Sequence, residues 1–162
     1  MSMFENDQYR WRETYFVLFD AAKRPTLRKV KQKLADMNKR FAFANPQADS
    51  HGGFESLTVL APDDFAALDI SYLAGEEVME QAGQLVEEMR DSYSRAEERA
   101  RLEQVGRATA RFDVLHFEQV SGFDEGDPTE ELIDPAALLT TLEALAELTD
   151  GIAVDPQSGT LL

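Results

Sequence analysis

The chain contains no cysteine. The groups available for acid–base chemistry or ligand capture are therefore two histidines, many carboxylates and a cluster of cations. His116 stands mid-strand between Leu115 and Phe117, and Glu118 falls on the same face two residues on. That spacing fits an acid/base or metal-binding pair. It equally fits a partly buried histidine with a local hydrogen-bond partner. His51, in the His51-Gly52-Gly53 loop, is a weaker candidate for ligand contact.

Carboxylates at Asp63-Asp64, Glu76-Glu77, Glu80 and Glu87-Glu88 read as solvated faces or as first-turn acids that complement a helix dipole. The Asp124-Glu125-Gly126-Asp127 segment has a calcium-loop look. An EF-hand, however, needs oxygen ligands at its third and fifth positions and glycine at the sixth, where this chain has Gly126, Pro128 and Thr129. Without cysteine there are no thiolate zinc sites, cysteine nucleophiles or disulfides. Nucleotide-binding glycine loops and the G-x-S-x-G nucleophile elbow are also absent from the sequence. No catalytic residue, metal site or cofactor is assigned.

The cations are more informative. Residues 23–40 hold eight basic side chains (Lys23, Arg24, Arg28, Lys29, Lys31, Lys33, Lys39 and Arg40) against Asp36 alone, a net charge of +7, whereas the remainder carries −22. Lys23, Arg24, Arg28 and Lys29 surround the start of a helix. Cations there oppose the macrodipole at roughly 0.3–1 kcal/mol each when exposed. The functional reading is an anion site at Lys23, Arg24 and Arg28, with free backbone N–H groups facing a phosphate or carboxylate. The structural reading is charge complementarity, within the chain or across a dimer, with the acidic helix of residues 76–91. Tyr9-Arg10-Trp11-Arg12 mixes aromatic and basic residues as single-strand nucleic-acid platforms do, but also suits an edge packed on a sheet.

The length of 162 residues, with 43% hydrophobic and 29% charged residues, suits one globular domain. A net charge of −15 disfavours nonspecific nucleic-acid binding. The N-terminal apolar run, residues 15–19, is too short for a signal peptide. No stretch approaches a membrane span. The expected location is cytoplasmic.

Period-two and aromatic-rich runs predict strands at 12–20, 55–61, 65–72, 111–120 and 152–155. The first is apolar on both faces, hence central. The third alternates, with Ala66, Leu68, Ile70 and Tyr72 on one face. Only a short turn at Pro62 separates it from the second, so the two form an antiparallel hairpin. A stripe of Leu27, Val30, Leu34, Met37 and Phe41 predicts an amphipathic helix over 26–41. Residues 76–105 form a long helix that breaks or overhangs near 92–94. Asp134-Pro135 starts a last helix, which Gly151 ends in the left-handed conformation. Asn45-Pro46 marks a loop.

The order βαββαβ followed by αβ predicts an α+β fold: a ferredoxin-like antiparallel sheet with its helices on one face, plus an added C-terminal helix and short strand. One domain spans 1–162, with residues 1–9 frayed, a core over 12–120, an acidic loop at 121–131 and the addition at 134–162. On topology, residues 12–120 resemble ferredoxin-like regulatory modules, including ACT domains. The loop from Asp20 to Pro25 lacks the glycine usual there in ACT domains, and no family is assigned. The leading functional expectation is a non-catalytic interaction module that forms a homo-oligomer, a dimer, or binds a protein partner. The alternatives are an enzyme or sensor for an anionic metabolite, and nucleic-acid binding through the basic helix.

Overall fold

The computed structural model describes residues 6–119 and 135–162. Strands β1 (Tyr9–Phe19), β2 (Ala42–Ala48), β3 (Phe54–Ala61), β4 (Ala66–Ala74), β5 (Ala110–Gln119), β6 (Ile152–Asp155) and β7 (Thr160–Leu161) form one sheet. The order across it is β2-β3-β4-β5-β1-β6-β7, and all neighbours are antiparallel. Helices α1 (Leu27–Met37), α2 (Glu76–Met89), α3 (Ala96–Gly106) and α4 (Ala136–Thr149) complete the described elements.

The α+β class and the antiparallel sheet agree with expectation, but the ferredoxin-like arrangement does not hold. Strand order and strand number differ, and the helices cover both faces of the sheet. Val17 and Phe19 of β1 pack with Val30 and Leu34 of α1 and with Leu138 and Leu142 of α4. Leu18, between them, packs with Ala82 and Leu85 of α2 and Leu102 and Val105 of α3. Successive strand residues point to opposite faces, so α1 and α4 lie on one side and α2 and α3 on the other. A strand apolar on both faces requires this, since helices on one side would leave Phe16 and Leu18 in water. The last helix and strand form as expected, and the strand joins the sheet: β6 pairs with β1 through Phe16–Val154, Val17–Ala153 and Leu18–Ile152.

β2 replaces the loop expected around Asn45-Pro46. It is an edge strand whose register slips between Ala44 and Gln47. Proline lacks an amide donor and is tolerated at such an edge bulge, and Asn45 takes a left-handed φ of 50°. The hairpin of β3 and β4 forms as expected. Ala66, Leu68, Ile70 and Tyr72 all face the α1–α4 core. The long helix does break: α2 stops at Met89, a 3-10 turn covers Arg90–Ser92, and α3 follows. α1 ends at Met37, earlier than its apolar stripe suggested, although Phe41 still reaches the core.

The end of α4 differs in mechanism from expectation. Asp150, not Gly151, adopts the left-handed conformation, with φ 51°. Gly151 is needed for closeness: a Cβ there would sit 2.7 Å from the Leu18 carbonyl oxygen and 3.0 Å from the Phe19 Cβ. At its other end, α4 is capped from afar, as the Ala137 amide donates to Asp64 Oδ2 at 3.0 Å.

Candidate functional site

The three predicted anion ligands do not converge. Lys23, in a 3-10 turn after β1, pairs with Asp150 at the end of α4. This contact raises the Lys23 pKa. Arg24 is a clamp. Its Nε and Nη2 donate to the Phe54 carbonyl at 3.0 and 2.7 Å, and Nη1 donates to Asp49 at 2.9 Å. The guanidinium also lies 4.2 Å from the centre of the Tyr72 ring. Asp49 in turn accepts from the Gly53 and His51 amides, which, with Arg24 beside it, hold its carboxyl below the ordinary value. Arg28 is exposed and has no ion-pair partner among the described residues.

The helix start itself is largely satisfied. The Leu27 amide donates to Gly52, and the Lys29 amide donates to the Thr26 hydroxyl, which caps α1. His51 contributes its backbone to the same turn, with its ring outside it, exposed.

The acidic helix expected to neutralise α1 is on the far side of the sheet. α1 lies beside α4, which supplies one partner, Lys33–Glu147 at 2.6 Å. Arg40 pairs with Asp63 at 3.2 Å. Arg28, Lys29, Lys31 and Lys39 form no ion pair among the described residues, although Lys31 approaches the Phe43 ring. On the opposite face, α2 presents Glu76, Glu77, Glu80, Glu87 and Glu88, all exposed, with no basic residue of its own.

His116 is buried, but its partner is not Glu118. Nδ1 lies 3.1 Å from Glu13 Oε1, from a strand 103 residues away in sequence. Nε2 is buried without a hydrogen-bond partner among the described residues, as is the Thr141 hydroxyl of α4. Glu118 belongs to the arginines: Arg10 Nε donates to it at 2.6 Å and Arg12 Nη1 at 2.7 Å. Burial works to raise the Glu118 pKa, but these two arginines outweigh it and leave the carboxyl lowered. Tyr15 also donates towards Glu13, at 3.4 Å, and its burial, with Glu13 and Asp155 nearby, raises its pKa to about 12. Arg10 and Arg12 thus pack on the sheet through an acid. Nothing in the sequence flags Glu13, because strand pairing alone sets it opposite His116.

Two concave regions stand out among the described residues. One, lined by Asn45, Gln47, Ser56, Thr58, Asp69 and Ser71, holds a 2.6 Å Thr58–Asp69 hydrogen bond. The other, of ≈ 300 Å³, lies where β1, the Lys23 turn, α3 and α4 end, and is lined by Phe19, Asp20, Lys23, Gln104, Arg107, Ala108, Thr149 and Asp150. Sequence reasoning found Lys23 but not Arg107, whose neighbourhood is made entirely by tertiary structure. Among the described residues no group of three or more histidines or acids is placed to hold a metal ion. The calcium-like segment at 124–129 lies outside the described residues. No described helix is long and apolar enough to cross a membrane. No protein-family model, curated protein or solved structure matches the chain.

Proposed function

We propose that the protein is a non-catalytic interaction module that binds an acidic protein surface through the outward side of α1, a second copy of itself included. The observation that carries this reading is the separation of the two oppositely charged helices by the sheet. Arg28, Lys29, Lys31 and Lys39 consequently form, among the described residues, no ion pair that would make them structural.

The exposed glutamates of α2 are the complementary surface on another copy. Because α1 and α2 lie on different faces, such a contact joins unlike patches. It builds rings or chains rather than closing as a two-fold dimer. The overall charge of −15 opposes association, but at ~0.15 M salt screening confines that repulsion to about 8 Å. Local contact between opposite charges then decides the outcome.

Sedimentation velocity across a salt series tests the reading, with poly-glutamate as a generic acidic partner. Assembly or poly-glutamate binding that weakens with salt and is abolished by Lys29→Glu with Lys31→Glu is expected. A salt-independent monomer that ignores poly-glutamate overturns it. Retardation of single-stranded RNA in place of poly-glutamate binding would transfer the same helix to nucleic acid and overturn the protein-partner reading. An anion held jointly by Lys23, Arg24 and Arg28 is the less supported proposal, because Lys23 and Arg24 reach out to different parts of the fold.

A further inference from the structure

The cleft at the ends of β1, α3 and α4 has a charge arrangement that the α1 reading does not use. Its floor is formed by Phe19, Ala108 and Thr149, all buried. Its rim carries two cations, Lys23 and Arg107, and two acids, Asp20 and Asp150. Lys23 and Asp150 satisfy each other, and Gln104 holds the Asp150 carbonyl at 2.7 Å. Asp150 is fixed there by an unusual left-handed backbone in a residue other than glycine, a conformation that costs energy and persists where surrounding contacts demand it.

One charge of each sign is left over. Arg107 has no ion-pair partner among the described residues, and its guanidinium is exposed at the rim. Asp20 uses one oxygen, Oδ1, to accept from the Ala22 amide, and no cation among the described residues pairs with it. A guanidinium presents a planar fork suited to a carboxylate, and a carboxylate is suited to an ammonium group. A volume of ≈ 300 Å³ stands at the small end of ligand pockets.

We infer that this cleft binds a small zwitterion, with its carboxylate on Arg107 and its amine on Asp20. The Lys23–Asp150 pair forms the fixed wall between α4 and the β1 turn. The site lies apart from Arg28, Lys29 and Lys31, so its occupancy is independent of any partner on α1.

The test is isothermal calorimetry and thermal denaturation with three probe sets: free α-amino acids, the corresponding carboxylates lacking the amine, and inorganic phosphate. At least one amino acid is expected to raise the Tm by several degrees. Arg107→Ala, an exposed substitution, abolishes that rise. Asp20→Asn keeps an oxygen for the Ala22 amide while removing the charge. It weakens amino-acid binding at least tenfold and leaves any binding of the plain carboxylate unchanged. The inference is overturned if no amino acid binds, if binding survives Arg107→Ala, or if phosphate and plain carboxylates bind the wild type as tightly as the amino acids.

Discussion

Arg24 separates a structural from a ligand-binding role most sharply, and Arg24→Lys is the perturbation to make. Lysine keeps the charge that an anion site would use. It loses the planar fork that reaches the Phe54 carbonyl with two donors and Asp49 with a third while lying over Tyr72. The two bonds to Phe54 share one acceptor and count as a single charge-assisted interaction of about 1.5–3 kcal/mol. Stacking on Tyr72 adds roughly 0.5–1 kcal/mol, of which lysine recovers part. The part-buried Asp49 contact is partly screened by solvent and adds little. A loss of about 2–3 kcal/mol follows, and at roughly 2–4 °C per kcal/mol for a chain of this size the Tm falls by roughly 5–10 °C. Urea and thermal denaturation followed by circular dichroism measure it, with Arg28→Lys as the exposed control that stays within about 0.5 kcal/mol. Phosphate should not restore the deficit. A variant as stable as wild type, or one rescued by phosphate, refutes the clamp.

Glycine substitutions test the packing of α4 on β1. Gly151→Ala sets a methyl 2.7 Å from a backbone oxygen and should cost about 1–3 kcal/mol, whereas Gly83→Ala, in the middle of α2 with open space around it, should add about 0.5–1 kcal/mol; chemical denaturation ranks the two. Because the Glu118 pKa is lower in the folded chain than in the unfolded one, its contribution is present above the ordinary carboxylate range and is lost as pH falls through the folded value. Glu118→Gln should therefore be less stable than wild type at pH 7, by about 1–2 kcal/mol, and the urea midpoints of the two should draw together as the pH is taken below the ordinary carboxylate range. In an ultraviolet titration, one tyrosine should ionise near pH 12 rather than 10, and Tyr15→Phe should remove that step.

How far the fold was legible depends on the range of the interaction. The β3–β4 hairpin and the alternation of β4 were readable because the pairing is local and the turn short. So was the break after α2, where charged residues replace the apolar stripe. Strand order was not readable: β1 meets β5 about a hundred residues away, and no local pattern encodes that register. Even so, the both-faces-apolar run from Tyr15 to Phe19 contained the correction, since it is incompatible with helices on one face. The site was less legible. Lys23, Arg24 and Arg28 lie within six residues of one another, but Asp150, Asp49 and Phe54 decide what the first two do. His116 and Glu118 share a strand face in the sequence pattern, yet neighbours on one face compete with partners across the sheet, and Arg10 and Arg12 take the acid.

Where the cations of α1 stand in the free protein also carries a cost that a partner would relieve. The helix has no acid in its first turn and no base in its last, the reverse of what its dipole favours. Lys29 adds to this twice, lying in the first turn and four residues before Lys33, a like-charge spacing on one face. Lys29→Glu reverses both terms: it places an acid at the N-terminal turn and an opposite charge before Lys33. The free protein should gain roughly 0.5–1 kcal/mol, seen as a higher urea midpoint, while binding to poly-glutamate weakens several-fold. Opposite signs in the two assays are what a side chain kept for a partner produces. A variant that is more stable and binds equally well would show that Lys29 serves no contact, and the interaction face would have to lie elsewhere on the helix.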